Sequence, residues 1–321
     1  MYLPEDDVRL IPISLRSELL ARGHTDRSLA REVRSGQLAR SRRGAYVDGR
    51  VWREMTAEQQ YAVRARAAYR QARTDVLLSH TSALPFLDAP LWGFGLDDTH
   101  LTRFDGRTGR RERGIRQHCG QLADGDVVLA HDGLQFASPI RATLEVSTVG
   151  SVEATLVVAN HFLHRGDFTL DQLRERYDPA MDRWPNSLAT GLVLRLAEPR
   201  IESPGETRTS YFLWRHSLPA PIPQFEVYDG DRFVARLDFA LPDHGIWIEF
   251  DGKVKYQQHL RPGEDATEAV LREKRREEQI AELTGWRCLR VTWSDLADPA
   301  RLERRIRDLI ASVAAARVNA G

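Results

Sequence analysis

Between Arg236 and Tyr256 the chain reads RLDFALPDHGIWIEFDGKVKY, which sets Asp238, Glu249, Asp251, Lys253 and Lys255 on or beside apolar segments. The apolar run holding Asp238 reads as a strand, Pro242-Asp243-His244-Gly245 as a turn, and Ile246–Phe250 as a second strand. Side chains alternate along a strand, so Glu249, Asp251, Lys253 and Lys255 point to one side at successive rises of roughly 6.6 Å. A hairpin brings Asp238 beside them. Carboxylates gathered next to ammonium groups at a strand end are costly unless they hold something, and a hard divalent cation is the natural occupant. Such an ion activates water and neutralises charge on a phosphodiester. The competing reading is an edge hairpin with a solvated charged face. Against it, Ile246, Trp247, Ile248 and Phe250 leave few other positions facing water.

The elements around this segment are those of a small mixed sheet. Ser203 caps a helix over Thr207–His216, with Glu206 in its first turn, where the helix dipole favours a carboxylate. Capping alone accounts for Glu206. A stiff Leu218–Pro223 connector leads to strands at Gln224–Tyr228 and Arg232–Phe239, joined at Asp229-Gly230. Beyond the hairpin come a charged helix from Glu268 to Leu283 closed by Gly285, a strand Trp286–Trp293 and a terminal helix capped by Ser294. Lys274, Arg275 and Arg276 on the charged helix read either as groove-lining cations or as ion-pair partners of nearby glutamates. Trp286, Leu289, Val291 and Trp293 read as sheet packing.

The other end of the chain carries a different chemistry. Ile13–Ala21 has helical spacing and stops at Gly23; Thr25 caps a second helix, Asp26–Ser35, closed by Gly36. Two short strands follow around Arg43-Gly44. Helix, turn, helix and a basic hairpin is the layout of a winged helix. Leu15–Arg50 holds nine arginines and four acids, a balance of nine minus four, or +5, in a chain of formal net charge zero. Arg27, Arg31 and Arg34 on the second helix and Arg40, Arg42 and Arg43 on the hairpin are the candidate DNA contacts. A solvated arginine-rich helix face is the alternative.

Composition bounds the rest. A chain of 321 residues, 42% hydrophobic and 29% charged, reads as two domains or three of an ordinary soluble protein. No stretch approaches ~18 consecutive apolar residues, and the acidic, proline-interrupted N-terminus reads as neither signal peptide nor anchor, so a cytoplasmic location and no membrane partner are expected. Cys119 and Cys288 fit no metal spacing. Residues 51–200 read as a scaffold without visible chemistry. His80, between Ser79 and Ser82, invites a nucleophile reading, but with no partner acid in view it reads as a capping or core histidine.

Two family resemblances sharpen these expectations. The run ARGHTDRSLAREVRSGQLARSRRGAYV resembles the N-terminal winged helix of AbiEi-type antitoxins of type IV toxin–antitoxin systems, through Gly23-x-Thr25, Leu29, Gly36-x-Leu38 and Arg42-Arg43-Gly44-x-Tyr46-Val47. Leu77–Ala83 resembles the Ser-His-x-Ser-Ala segment that follows it in actinobacterial members, and Ser138–Arg141 is a looser match to a Ser-Pro-x-Arg-Thr segment. About 120 residues of the C-terminal part resemble the PD-(D/E)XK superfamily, most closely its Vsr-like (very-short-patch-repair) branch. The pattern is an acid on the first helix, an Asp on one strand, Glu-x-Asp-Gly on the next, and a Gly-Trp strand ending Thr-Trp. The resemblance implies Asp238 and Glu249 as ligands of Mg2+ (or Mn2+), Glu206 as the first-helix acid and Gln224 as an assisting polar group. It departs at one position: Asp251 stands where the family formula places lysine. The alternative register is Asp251-x-Lys253, and Lys274 is a further source. Catalytic candidates are therefore Asp238, Glu249, Lys253, Glu206 and Asp251; lysine in this role orients water or stabilises charge developing on phosphate.

The expected fold class is α+β or α/β: a winged helix over 1–50, a mixed α/β connecting scaffold over 51–187, and a restriction-endonuclease-like core with a mixed sheet over 188–321. The expected function is a metal-dependent DNA endonuclease with a DNA-binding arm. The alternative is a non-catalytic DNA-binding repressor, the antitoxin to a cognate toxin, on a degenerate nuclease fold. DNA is the expected partner; oligomeric state is not legible.

Overall fold

The computed structural model describes residues 7–105, 107–130, 132–181, 184, 188–252 and 266–320. Lys253 and Lys255 lie outside them. The protein is mixed α/β, with three sheets among the described residues, and forms two compact units: Met1–Phe162 with Gly166–Arg195, and Leu163–Arg165 with Leu196–Gly321. Among the described residues no helix is long and apolar enough to cross a membrane.

The first unit begins with β1 (Ser14–Leu15), α1 (Arg16–Ala21), α2 (Asp26–Ser35), β2 (Leu38–Arg42) and β3 (Ala45–Asp48), the strands ordered β1-β3-β2. Helical spacing suggested that α1 starts at Ile13. Instead Ser14 and Leu15 pair with Tyr46 and Ala45, and ladder hydrogen bonds outweigh helix periodicity over so short a segment. Thr25 accepts a hydrogen bond from the Ser28 amide (3.1 Å), and Gly36, at φ +76°, ends α2 in the left-handed region open to glycine. Next come α3 (Gly49–Glu54) and α4 (Ala57–Arg70). Val63 and Ala67 of α4 share a core with Ile11, Ile13, Ala45 and Val47, and Arg66 donates to the carbonyls of Val8 and Ile11. These contacts fasten the first fifty residues to the scaffold after them.

That scaffold is built on β4 (Val76–Leu78), β5 (Thr99–Arg103), β6 (Arg111–Glu112), β7 (Ile115–Cys119), β8 (Val127–Leu129) and β9 (Gln135–Ala137), in the order β6-β7-β5-β4-β9-β8. Parallel pairing of β5 with β7 sets His100 opposite Arg116 and Thr102 opposite His118. His100, Thr102, Arg116 and His118 thus share one face of the sheet, and Leu101, Arg103 and Gln117 the other. Helices α5 (Pro139–Ser147), α6 (Val152–Arg165), α7 (Leu170–Met181) and α8 (Leu188–Leu196) follow.

The second unit holds α9 (Pro204–Arg215), β10 (Ile222–Asp229), β11 (Arg232–Leu241), β12 (Ile246–Asp251), α10 (Ala266–Thr284), β13 (Arg287–Thr292), α11 (Trp293–Leu296) and α12 (Pro299–Ala320). Its sheet runs β10-β11-β12-β13, antiparallel until β13 joins β12 in parallel. β12 is therefore an interior strand, which rules out the solvated edge hairpin. Ile246, Ile248 and Phe250 enter one core with Phe212, Leu213, Leu302 and Ile306; Trp247 enters another with Val227, Leu237 and Ile280. Several boundaries differ from the sequence expectation, by one to four residues for most. α9 starts at Pro204, whose missing N–H is no loss in the first turn. The last strand stops at Thr292, and Thr292 rather than Ser294 caps the short helix α11, accepting from the Asp295 amide. The helical start at Trp293 then breaks, and α12 begins at Pro299.

A close approach fixes α9 on β12. A Cβ on Gly205 would lie 2.0 Å from Phe250 Cε1, so only glycine lets the helix start lie on that ring. Gly205→Ala should lower the stability of the second unit by about 1–3 kcal/mol. Gly191→Ala in α8, where the nearest atom is 3.8 Å away, should be neutral or slightly stabilising. Urea denaturation of the two variants reads the difference.

Candidate functional site

Asp238 and Glu249 sit where the β11–β12 ladder ends. The register runs Leu241↔Ile246, Ala240↔Trp247 and Phe239↔Ile248 and goes no further. Just past that pair, Asp238 Oδ2 accepts the Phe250 amide at 2.7 Å, so a side chain replaces the next backbone rung and brings the carboxylate against β12. Glu249 and Asp251 are half-buried, alternating with buried Ile248 and Phe250, as strand periodicity expects. Glu249 faces α10: Arg276 Nη2 lies 3.4 Å from its Oε1 and 2.9 Å from the Arg236 carbonyl. Arg276 also pairs with Glu273, and Arg290, the β13 register partner of Glu249, with Glu273 and Glu277. Arg276 therefore takes the ion-pair reading, bound to a glutamate of its own helix and to the strand acid. Lys274 is exposed and lies 3.8 Å from Glu278.

Glu206 is buried at the start of α9 and tightly held. Its Oε1 accepts from Ser203 Oγ (2.6 Å), and its Oε2 from the Glu202 amide (3.1 Å) and Gln224 Nε2 (3.0 Å). The structure thus joins Glu206, the first-helix acid among the catalytic candidates, to Gln224, the assisting polar group. Glu206, Asp238 and Glu249 do not form a group whose ligand atoms all approach within 4.8 Å; among the described residues, one trio does, and it lies elsewhere.

The six arginines of the first unit fall into two sets. Arg27, Arg31 and Arg34 are exposed on α2 at spacings of four and three residues, one face, while Leu29 and Val33 pack inward with Leu19, Leu38 and Tyr46. Among the described residues Arg27, Arg31 and Arg43 make no ion pair. Arg40 lies over the Tyr46 ring, 5.9 Å from its centroid. Arg42 is different: it is half-buried, its Nη1 has no hydrogen-bond partner among the described residues, and burial pulls its pKa down. It opens, with Arg43, into a cleft of about 490 Å3 that also receives Arg73, Arg103, Arg110 and Arg113. Glu112 is the acid on its wall.

The trio that sequence reading passed over is His80, His100 and His118. His80 follows β4 in a one-turn helix. His100 Nδ1 lies 3.0 Å from His118 Nε2, and the His80 and His118 rings stack with centroids 3.7 Å apart. Burial pushes all three pKa values down, helped by neighbouring histidines and arginines: His100 to about 4, His118 to about 3 and His80 well below its usual value, so the rings are neutral. An acid lies beside His80: Glu145, 65 positions away, whose Oε2 accepts the His80 backbone amide at 2.9 Å and lies 3.6 Å from the ring Nδ1. Glu145 Oε1 accepts from Arg141 Nε (2.7 Å), and Arg141 Nη1 donates to Asp126 (3.0 Å), which also receives Arg176. Burial pushes the Glu145 carboxyl up, opposed by Arg141. The available signal was alternation: His100 and Thr102 at one strand's inward positions, Arg116 and His118 at another's.

No family model matches the chain. Two uncharacterized proteins from Mycobacterium tuberculosis, of strains CDC 1551 / Oshkosh and H37Rv, are each 30% identical to it over 115 residues, 36% of this chain and 39% of theirs. The chain thus matches about two fifths of the length of these relatives.

If Glu206 is a structural cap, Glu206→Ala strands three polar groups and should cost about 1–3 kcal/mol of stability. Glu206→Gln, which keeps an acceptor for the Glu202 amide, should recover part of it. Urea midpoints of the two variants against wild type measure this.

Proposed function

We propose that this protein binds DNA through its arginine-rich first unit and hydrolyses phosphodiester bonds at the Asp238–Glu249 site. The observation that carries the reading is the pair of carboxylates at the ladder end, set on interior strands of a mixed sheet with an acid-bearing helix docked beside them. That arrangement supports a restriction-endonuclease-like core of the PD-(D/E)XK, Vsr-like type. The strand-helix-helix-hairpin order of residues 14–48 supports a winged helix of the AbiEi kind.

The residues present fit a magnesium or manganese ion. Mg2+ is commonly held by one or two carboxylates with water and substrate phosphate completing its shell, and Asp238 and Glu249 are the two carboxylates that would hold it. Such an ion, when bound, lowers the pKa of its water and offsets charge on the phosphate. The chain's own residues do the rest. The Phe250 amide fixes the Asp238 carboxylate in one orientation, and Glu249 would be the second carboxylate ligand. Arg276, 3.4 Å from Glu249, balances its charge without substrate and is free to turn to a phosphate oxygen when an ion takes that place. Glu206 holds Gln224 toward the strand pair rather than acting on substrate.

On the other unit, the α2 arginines and the hairpin arginines give the positive surface that backbone contact needs. Arg42 and Arg43 line a cleft carrying six arginines, which suits a phosphate.

Three observations favour a second reading, a non-catalytic DNA-binding repressor. Glu206 is fully engaged in capping and Glu249 is already paired with Arg276, while Asp251 replaces the family lysine, so the fold can persist without cleavage. One experiment separates the two. Purified protein with Mg2+ or Mn2+ should cut DNA, and Asp238→Ala with Glu249→Ala should abolish cutting while leaving affinity unchanged. Wild-type inactivity across DNA forms and both metals, with binding intact, favours the repressor. In either case Arg42→Ala with Arg43→Ala should weaken binding across sequences and reduce the salt slope by about 0.9 per lost contact, read by fluorescence anisotropy at several salt concentrations.

A further inference from the structure

We propose that His80, His100 and His118 form a binding site for one divalent transition metal of the zinc type, separate from the carboxylate pair. Each ring offers a nitrogen, and the three nitrogens lie within 4.8 Å of one another. Zn–N bonds of about 2.0–2.1 Å in a tetrahedron put ligand nitrogens roughly 3.3 Å apart. His100 Nδ1 and His118 Nε2, at 3.0 Å, already have that spacing.

The surroundings prepare the rings as ligands. His80 Nδ1 lies 3.0 Å from Ser79 Oγ, with Glu145 Oε2 at 3.6 Å. Such an oxygen partner on one ring nitrogen leaves the other as the coordinating lone pair, the arrangement that orients metal-bound histidines. His80 itself sits at φ +50°, a conformation uncommon outside glycine, and is held there by the Glu145 carboxylate on its amide. Glu145 is in turn fixed by the Arg141–Asp126 pair, both more than nine-tenths buried. A core that merely needed filling would have little use for a strained histidine against two others.

A second observation points to a ligand. Thr102 is 1% exposed, and its Oγ1 has no hydrogen-bond partner among the described residues, yet it lines the same cleft of about 480 Å3 as His80 and His118. Three histidines leave the fourth tetrahedral position open to that cleft, and Thr102 is placed to bond a water or anion there. Arg110 and Arg111, paired with Glu112 and Asp98, and Arg116, which makes no ion pair among the described residues, also line the cleft, and Arg116 favours an anion as that fourth ligand.

The test uses the full chain with Asp238→Ala and Glu249→Ala as host, so that uptake by the carboxylates is removed and the outcome is independent of the nuclease reading. Chelator-stripped host titrated with Co2+ should bind one ion per chain with the intense visible bands of tetrahedral coordination, and Zn2+ should displace it. His100→Gln and His118→Gln should each weaken uptake about 100-fold or more. A folded host that takes up no Co2+, or folded histidine variants that bind as the host does, overturns the proposal. Should both variants unfold, X-ray absorption on the zinc-loaded host decides: three imidazoles in the shell support the site, and two or fewer overturn it.

Discussion

Phe250 ties the second unit together. Its ring occupies the space that a side chain on Gly205 would need, which seats the start of α9 on β12. Its amide is taken by Asp238, which draws β11 against the same strand where the ladder ends. Its other ring contact is an edge-on approach to Trp293, 4.9 Å between centroids, where β13 gives way to helix. One residue therefore sets the positions of a helix, a neighbouring strand and a carboxylate. The acids of the candidate site are spaced by packing, not by each other. This is how a cluster of like charges is kept in place at the edge of a core.

The first unit depends on charge in the opposite sense. Its middle sheet borders two clefts, one walled by six arginines between Arg42 and Arg113 and one lined by His80 and His118. Strand alternation sends Leu101 and Arg103 to one and Thr102, Arg116 and His118 to the other, while Arg110 and Gln117 line both. Behind the histidines, Arg141 is buried between Asp126 and Glu145, and removing one partner of such a group leaves an uncompensated charge. The scaffold between the termini is thus chemically furnished on both faces.

Much of the second unit was legible because its signals are local. Alternating apolar residues, Pro-Asp-His-Gly and Asp-Gly turns and a Ser cap each act within a few residues, and they yielded the hairpin, the strand order of acids and the site of Glu206. The same holds for Thr25 and Gly36 around α2. Ser14 and Leu15 were misread because their pairing partner lies thirty residues on. The histidine trio was illegible for the same reason on a larger scale. Its members come from a turn and two strands, and Glu145 comes from a helix, so no spacing in the chain announces them. Glu206 shows the reverse case: sequence offered both capping and catalysis, and three hydrogen bonds make the capping role sufficient.

The account stands or falls on whether Asp238 and Glu249 hold an ion together. A crystal structure of the full chain grown with Mn2+ measures this directly through the metal's anomalous signal. The account predicts one peak bridging the two carboxylates, with Arg276 turned away from Glu249. Arg276 still paired to Glu249, with no peak between the acids at saturating Mn2+, would contradict it.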